Sequence, residues 1–197
     1  MFLKKQISLY QFLKNPDNIL LILDLDETLI HATGTQLEVP HNFRYTNYFI
    51  YERPYLKEFL ETISLHFNLA IWSSADDMYV QEIVDKIKPS TITFEFVWGR
   101  TRCTTRRDYD LDRYVHEKRL KKAKKLGFTL ERMLIIDDSP EKTRDNYGNA
   151  IYINAFEGNQ NDKELQALSE YLHSIKNTHN VRSLEKRGWR NQVSTNR

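Results

Sequence analysis

Asp24 and Asp26 stand two positions apart directly after the apolar run Ile19 to Leu23, and Thr28 follows two positions later. In extended chain that spacing turns both carboxylates to one side, with the threonine hydroxyl next in line if the chain stays extended. The run before them is β-branched and leucine-rich, as a strand buried on both faces requires. An acid pair just beyond the carboxyl end of such a strand lies where open α/β sheets bind ligands. Taken alone, the two aspartates could equally cap a turn and begin a helix. The pattern recurs, however. Asn68 to Trp72 runs into Ser73, and Met133 to Ile136 runs into Asp137 and Asp138. Ser73 or the second acid pair could also cap a helix, but local capping does not predict acids, a hydroxyl and further acids at successive strand ends.

If these strands are parallel neighbours, four carboxylates meet on one edge. At an effective dielectric near 20, each pair about 4 Å apart repels by about 4 kcal/mol. A divalent cation relieves that repulsion. Hard oxygen donors with few other ligands favour Mg²⁺, kept partly hydrated and completed by a phosphate oxygen. Lys118 or Lys121, in the basic stretch before the last of these strands, can bring an amine to the same edge. An amine and a hydroxyl beside a cation are what a phosphoryl group needs. The other lysines of that stretch read as a solvated face, and His31 and His116 as surface or structural residues.

The elements that must position these groups alternate. Arg53-Pro54 opens a helix whose Leu56, Phe59, Leu60 and Ile63 form one apolar stripe. Val80, Ile83, Val84 and Ile87 mark a second helix, stopped at Pro89, and Thr91 to Trp98 reads as a third strand. A helix is expected from about Glu117 to Leu126, with Gly127 as its stop. Ala150 to Ile153 is a further strand, and Leu165, Leu168, Leu172 and Ile175 mark a closing helix. Alternating strands and helices predict an α/β fold, a parallel sheet covered by helices on both faces. Between His31 and Glu52 the aromatic, alternating pattern predicts a small β-hairpin or flap, too short for a large cap. Gly99 to His116 reads as irregular and basic. The expected organisation is an N-terminal arm over 1–17, one domain over 18–177, and a frayed polar, basic tail over 178–197.

The whole chain sets bounds. Its 197 residues fit one domain with a sizeable core, and 40% hydrophobic with 28% charged residues is ordinary for a globular protein. A net charge of +2 offers no argument for DNA or a membrane. One cysteine rules out an internal disulfide framework and fits a reducing compartment. No apolar run approaches the roughly 20 residues that span a bilayer, and the N-terminus does not read as a secretory signal. The expectation is a soluble cytoplasmic or nuclear protein, with its oligomeric state open.

The segments ILDLDETLIH, AIWSSAD, the lysine stretch and LIIDDSPEK resemble the four motifs of the haloacid dehalogenase (HAD) superfamily. With RPYLKEFLE, RTRC and DDSPEKTRDNYGNA added, the chain is similar to the branch of RNA polymerase II C-terminal-domain phosphatases and NLI-interacting-factor-like proteins. The likeness covers about Asn18 to Tyr171. It implies a Rossmann-like (HAD) sheet and an Asp24 nucleophile that forms an aspartyl-phosphate. It also implies that Asp26 is the general acid and then base, held in position by Thr28, which groups with Ser73 and Lys118 around the phosphate. Mg²⁺ would sit on Asp24, the Asp26 carbonyl and Asp138, with Asp137 orienting Lys118 or a metal-bound water. The lysine motif departs from the family's usual Lys-Asp-Leu, reading Lys118-Arg119-Leu120, so Lys121 stays open beside Lys118. Arg100 and Arg102 are candidates for steering substrate. The implied function is a Mg²⁺-dependent phosphomonoesterase acting on phosphoserine or phosphothreonine in a protein or peptide. A small phosphorylated metabolite is the alternative substrate. From other classes, a receiver-like phosphoacceptor switch lacks the order of groups seen here, and an inactive interaction module would not need them all.

Overall fold

The computed structural model describes residues 18–109 and 112–194, the side chains of 193–194 excepted. The arm expected over 1–17 lies outside the described residues. Strand β1 (Ile19–Leu23) is the centre of a five-stranded sheet, and every one of its residues is fully buried. Around it the order is β10 (Ala150–Tyr152), β9 (Met133–Asp137), β1, β5 (Phe67–Trp72) and β6 (Val97–Trp98), with every pairing parallel. The alternation of side chains splits the core in two. Ile19, Leu21 and Leu23 face α1 (Leu56–Ser64), α2 (Asp77–Ile87) and α5 (Glu164–Ile175). Leu20 and Ile22 face a smaller layer with Phe96, Cys103, Leu120 and Ala123. The predicted apolar stripes of the three long helices are the buried ones. Each large aliphatic side chain so buried contributes about 1.5–3 kcal/mol.

The insertion after β1 is a three-stranded antiparallel flap, β2 (Ile30–Thr33), β4 (Tyr48–Glu52) and β3 (Phe43–Tyr45), in the order β2-β4-β3. Tyr45 and Tyr48 pair across a tight turn at Thr46-Asn47, within the segment where the alternating pattern predicts a hairpin or flap.

Four segments differ from expectation. The third strand is confined to Val97–Trp98, although the Glu95 N–H already donates to the Leu69 carbonyl of β5 at 2.7 Å. The stretch expected to be irregular forms an antiparallel hairpin, β7 (Thr104–Asp108) and β8 (Arg113–Glu117). Ion pairs from distant residues hold it: Arg144 to Asp108, Arg144 to Glu117 at 3.3 Å, and Arg113 to Glu141 at 2.7 Å. The basic helix shrinks to α3 (Lys121–Lys124), so Lys118 lies on the extended link after β8. Its backbone N–H donates to the Lys142 carbonyl at 2.7 Å. Gly127, at φ 98, stops α3 as anticipated.

The described part of the C-terminal stretch, 178–194, is packed rather than frayed. Val181 and Trp189 are buried, and Trp189, which opens α6 (Trp189–Ser194), donates its Nε1–H to the Tyr152 carbonyl at 2.9 Å. Buried apolar anchors interleaved with the charges override the polar average. Among the described residues no helix is long and apolar enough to cross a membrane.

Candidate active site

Parallel strands put their carboxyl ends on one edge, and the connections leave β1 toward β5 on one side while β9 closes the other. That reversal of strand order opens a crevice at the ends of β1, β5 and β9. Asp24 continues β1, its N–H bonded to the Ile136 carbonyl at 3.0 Å. Ser73 continues β5, its N–H bonded to the Trp98 carbonyl at 2.9 Å. One oxygen each from Asp24, Asp137 and Asp138 lies within 4.8 Å of the others. Residues more than a hundred positions apart therefore share one pocket.

After Asp24 the chain does not stay extended. The Leu25 carbonyl accepts from the N–H groups of Thr28, Leu29 and Ile30, and Glu27 takes a left-handed φ of 57. This tight turn carries Thr28 out of line with the acids. Its hydroxyl is buried without a hydrogen-bond partner, and it does not hold Asp26. Tyr79 and Ser73 do: the tyrosine hydroxyl donates to Asp26 Oδ1 at 2.5 Å and the serine hydroxyl to Oδ2 at 3.2 Å. Ser73 Oγ in turn accepts from the Ala75 N–H at 3.0 Å.

The turn itself is pinned from outside by Arg53. The guanidinium is buried and donates to the Thr28 carbonyl at 3.0 Å, the Asn154 carbonyl at 2.9 Å, and both Asp162 oxygens. Sequence reasoning took Arg53 only as the opening of a helix. Asn154 and Asp162 lie more than a hundred residues away and Thr28 lies 25 away, so nothing local announces the role.

Lys118, not Lys121, is the lysine of the site. It is fully buried, with Nζ 2.6 Å from Asp24 Oδ1 and 2.7 Å from Asp137 Oδ2, whereas Lys121 is exposed. The Asn146 side chain fixes the lysine's backbone, donating to the Lys118 carbonyl at 2.7 Å and accepting from the Leu120 N–H at 3.3 Å. A second amine, Lys142, went unnoticed in the sequence. Its Nζ lies 3.6 Å from Asp24 Oδ2 and 3.8 Å from Asp138 Oδ1. The available signal was its place four residues after Asp138, one turn along if a helix follows.

The electrostatics separate the carboxylates. Burial works to raise the Asp24 pKa, but the charges of Lys118 and Lys142 outweigh it and leave the group lowered, hence ionised. Burial raises Asp26, and the Asp24 charge adds to this against the hydrogen bonds from Tyr79 and Ser73. One acid is thus kept as an anion while its neighbour is biased toward holding a proton. Burial also pushes Asp137 up to about 7, with the Asp24 charge acting the same way.

The donor set fits a hard divalent cation. Asp137 has both oxygens engaged, with Lys118 Nζ on Oδ2 and the Ser139 N–H on Oδ1 at 2.9 Å. Both Asp24 oxygens and Asp138 Oδ1 are buried without an aligned hydrogen-bond donor, although amines stand close by. Buried carboxylate oxygens left in that condition are expensive unless a cation meets them. Asp24 and Asp138 are therefore the side chains able to hold Mg²⁺, and Asp137 the one able to hold Lys118. The two arginines singled out for steering lie at the exposed rim. Arg100 Nε donates to the Ser74 carbonyl at 2.9 Å, and the Arg102 guanidinium lies over Trp98 at 5.2 Å.

Comparison with known proteins agrees with this architecture. The family model described as NLI interacting factor-like phosphatase matches residues 19–182. CTD small phosphatase-like protein 2 from Dictyostelium discoideum is 33% identical over 171 residues, covering 83% of this chain and 28% of that protein. Nuclear envelope morphology protein 1 from Schizosaccharomyces pombe is 29% identical over 174 residues, covering 83% of this chain and 34% of that protein. The chain thus spans about a third of the length of these two relatives. Among solved structures, the fission yeast RNA polymerase II CTD phosphatase Fcp1 bound to beryllium fluoride superposes with a TM-score of 0.56 at 16% identity. That match covers 98% of this chain and 65% of the other, a likeness of fold. On a family match that runs through every strand of the sheet and both acid pairs, the chain belongs to the NLI interacting factor-like phosphatases.

Proposed function

We propose that this chain is a Mg²⁺-dependent phosphatase of phosphoserine or phosphothreonine in proteins, working through an aspartyl-phosphate on Asp24. The observation that carries the reading is the division of labour between Asp24 and Asp26. The first is an ionised buried carboxylate beside Lys118, and the second is biased toward its protonated form two residues on.

An oxygen of Asp24 attacks phosphorus as the bond to the serine or threonine oxygen breaks, and Asp26 gives its proton to that departing oxygen. Water then attacks the aspartyl-phosphate, Asp26 takes the water's proton, and phosphate leaves with Asp24 restored. Lys118 balances charge on the nucleophile throughout, and Asp137 orients its amine. The Ser73 hydroxyl turns from Asp26 to a phosphoryl oxygen when substrate is bound. Asp24, Asp138 and the Asp26 carbonyl would hold Mg²⁺, which would supply the positive charge that lets a carboxylate approach a phosphate dianion.

A protein substrate is favoured by the small size of the flap β2-β4-β3, three strands of three to five residues in place of a cap large enough to enclose a metabolite. Arg100 and Arg102 at the rim attract such an anionic segment. The structural relative's name specifies the RNA polymerase II CTD, and a phosphorylated tail of that kind fits an open site. The working location is cytoplasmic or nuclear.

The test is hydrolysis of a phosphopeptide panel by wild type and Asp24→Asn, each with and without Mg²⁺. Acid-quenched wild type should carry a covalent phosphate that the variant lacks. Turnover confined to small sugar phosphates would overturn the choice of substrate. Full activity in Asp24→Asn would overturn the mechanism.

A further inference from the structure

Lys142 has no task in the steps above, yet it stands at their centre. It sits in α4 (Pro140–Thr143), the short helix that follows the second acid pair. Its amine approaches Asp24 Oδ2 at 3.6 Å and Asp138 Oδ1 at 3.8 Å. These are the carboxylates that can hold the divalent cation, and both oxygens lack an aligned donor. Two positive groups on this oxygen pair weaken each other's hold, because each neutralises the same charge and the two repel at that range.

We propose that the Lys142 ammonium and the divalent cation compete for the Asp24–Asp138 oxygen pair, and that the displaced amine moves to the oxygens of the bound phosphoryl group. This rests on the reading of Asp24 and Asp138 as cation ligands. Lys118 cannot play the same part: it is fully buried and clamped between Asp24 and Asp137. Lys142 keeps 20% of its side chain exposed on a flexible four-carbon stem, so it has solvent and substrate to move toward. Burial works to lower its pKa, but the fields of Asp24, Asp137, Asp138 and Glu27 outweigh that and raise it.

Cooperativity follows. Phosphate draws the ammonium away from the carboxylates, which frees them for the cation. The cation in turn releases the ammonium toward phosphate. Each ligand must then tighten the other by the same factor.

The experiment is calorimetric titration of Mg²⁺ into the full chain, as wild type and as Lys142→Met, with and without inorganic phosphate. Lys142→Gln serves as a second neutral variant, and circular dichroism checks that each is folded. Without phosphate, both neutral variants should bind Mg²⁺ about tenfold more tightly than wild type. The tightening produced by phosphate should be about fivefold smaller in the variants than in wild type. Equal or weaker Mg²⁺ binding by the neutral variants overturns the competition while leaving the proposed phosphatase untouched. No Mg²⁺ binding by any of the proteins overturns the cation reading and the competition with it. Competition seen in a chain that hydrolyses no phosphopeptide upholds this inference and sinks only the choice of substrate.

Discussion

The Tyr79 hydroxyl donates a 2.5 Å hydrogen bond to Asp26, joining the first turn of α2 to the acid proposed to protonate the leaving group. Burial and the Asp26 charge hold the tyrosine pKa far above its usual range, so the hydroxyl always donates. Tyr45 of the flap packs edge-on against the same ring at 5.1 Å, tying the flap to the acid. Donation to the charged form lowers the Asp26 pKa, so removing the donor lets it rise. In Tyr79→Phe with saturating Mg²⁺, the basic limb of the kcat/KM profile should therefore move to higher pH. A freer Asp26 should also lower kcat by roughly tenfold, the scale of one hydrogen bond to a charged group. A pH–rate profile unchanged in position would show that Tyr79 merely packs.

Lys118→Met removes the cation between two buried acids. In wild type Asp24 is held below its unfolded value of 3.8, so its contribution to stability is present above that value and lost as pH falls below it. In the variant, burial and Asp137 act unopposed by Lys118, and the folded Asp24 pKa should rise above the unfolded one. The native state then binds more protons than the unfolded state, and stability falls as pH rises through the carboxyl range. Urea unfolding in EDTA should show a loss of about 3–5 kcal/mol at pH 8, with a clearly smaller gap at pH 5.

Mg²⁺ should stabilise the chain by mass action. At about 100 times its Kd, a ligand that binds only the native state adds about 2.7 kcal/mol. For a chain of this size that corresponds to a rise in Tm of roughly 5–10 °C. Asp138→Asn removes one of the carboxylates that can hold the ion, and scanning calorimetry should then show a rise below about 2 °C.

Glu52, at the end of β4, supplies a pH test away from the crevice. Burial raises its pKa above the unfolded 4.5. The native state therefore holds the extra proton, and stability attributable to Glu52 is fully present below 4.5 and lost as pH rises through the folded value. Glu52→Gln should leave stability unchanged at pH 4 and increase it at pH 8. Because the side chain is half-buried and screened, the gain should be under about 1 kcal/mol by urea denaturation.

Trp189→Ala tests whether the C-terminal stretch belongs to the domain. The indole is 1% exposed, lies 5.6 Å from the Tyr171 ring, and bonds to Tyr152 at the edge of the sheet. Truncating it should cost about 3–5 kcal/mol in thermal or urea unfolding. A loss below about 1 kcal/mol would show that the stretch adds little to stability.

The amino-acid sequence alone determined the sheet and one rim of the site. Wholly apolar runs such as Ile19 to Leu23 have no solvent-facing alternative, and an acid or hydroxyl at the end of each run marks its carboxyl edge. Parallel pairing then brings Asp24, Ser73, Asp137 and Asp138 to that edge whatever the loops do. The stripes of α1, α2 and α5 were legible for the same reason: a period near 3.6 is a local property. Tertiary structure decided the rest. Lys118 was distinguished from Lys121 by the Asn146 and Lys142 backbone contacts that keep its segment extended. Thr28 lost its place to Tyr79 because the chain turns tightly after Leu25 and leaves the threonine hydroxyl without a partner, while α2 brings the tyrosine to Asp26. The β7–β8 hairpin and the packed C-terminal stretch rest on partners such as Arg144 and Tyr152, far off in sequence. Propensity is a sum over neighbours along the chain. Which cation faces which carboxylate depends on neighbours in space, and those exist only once the chain has folded.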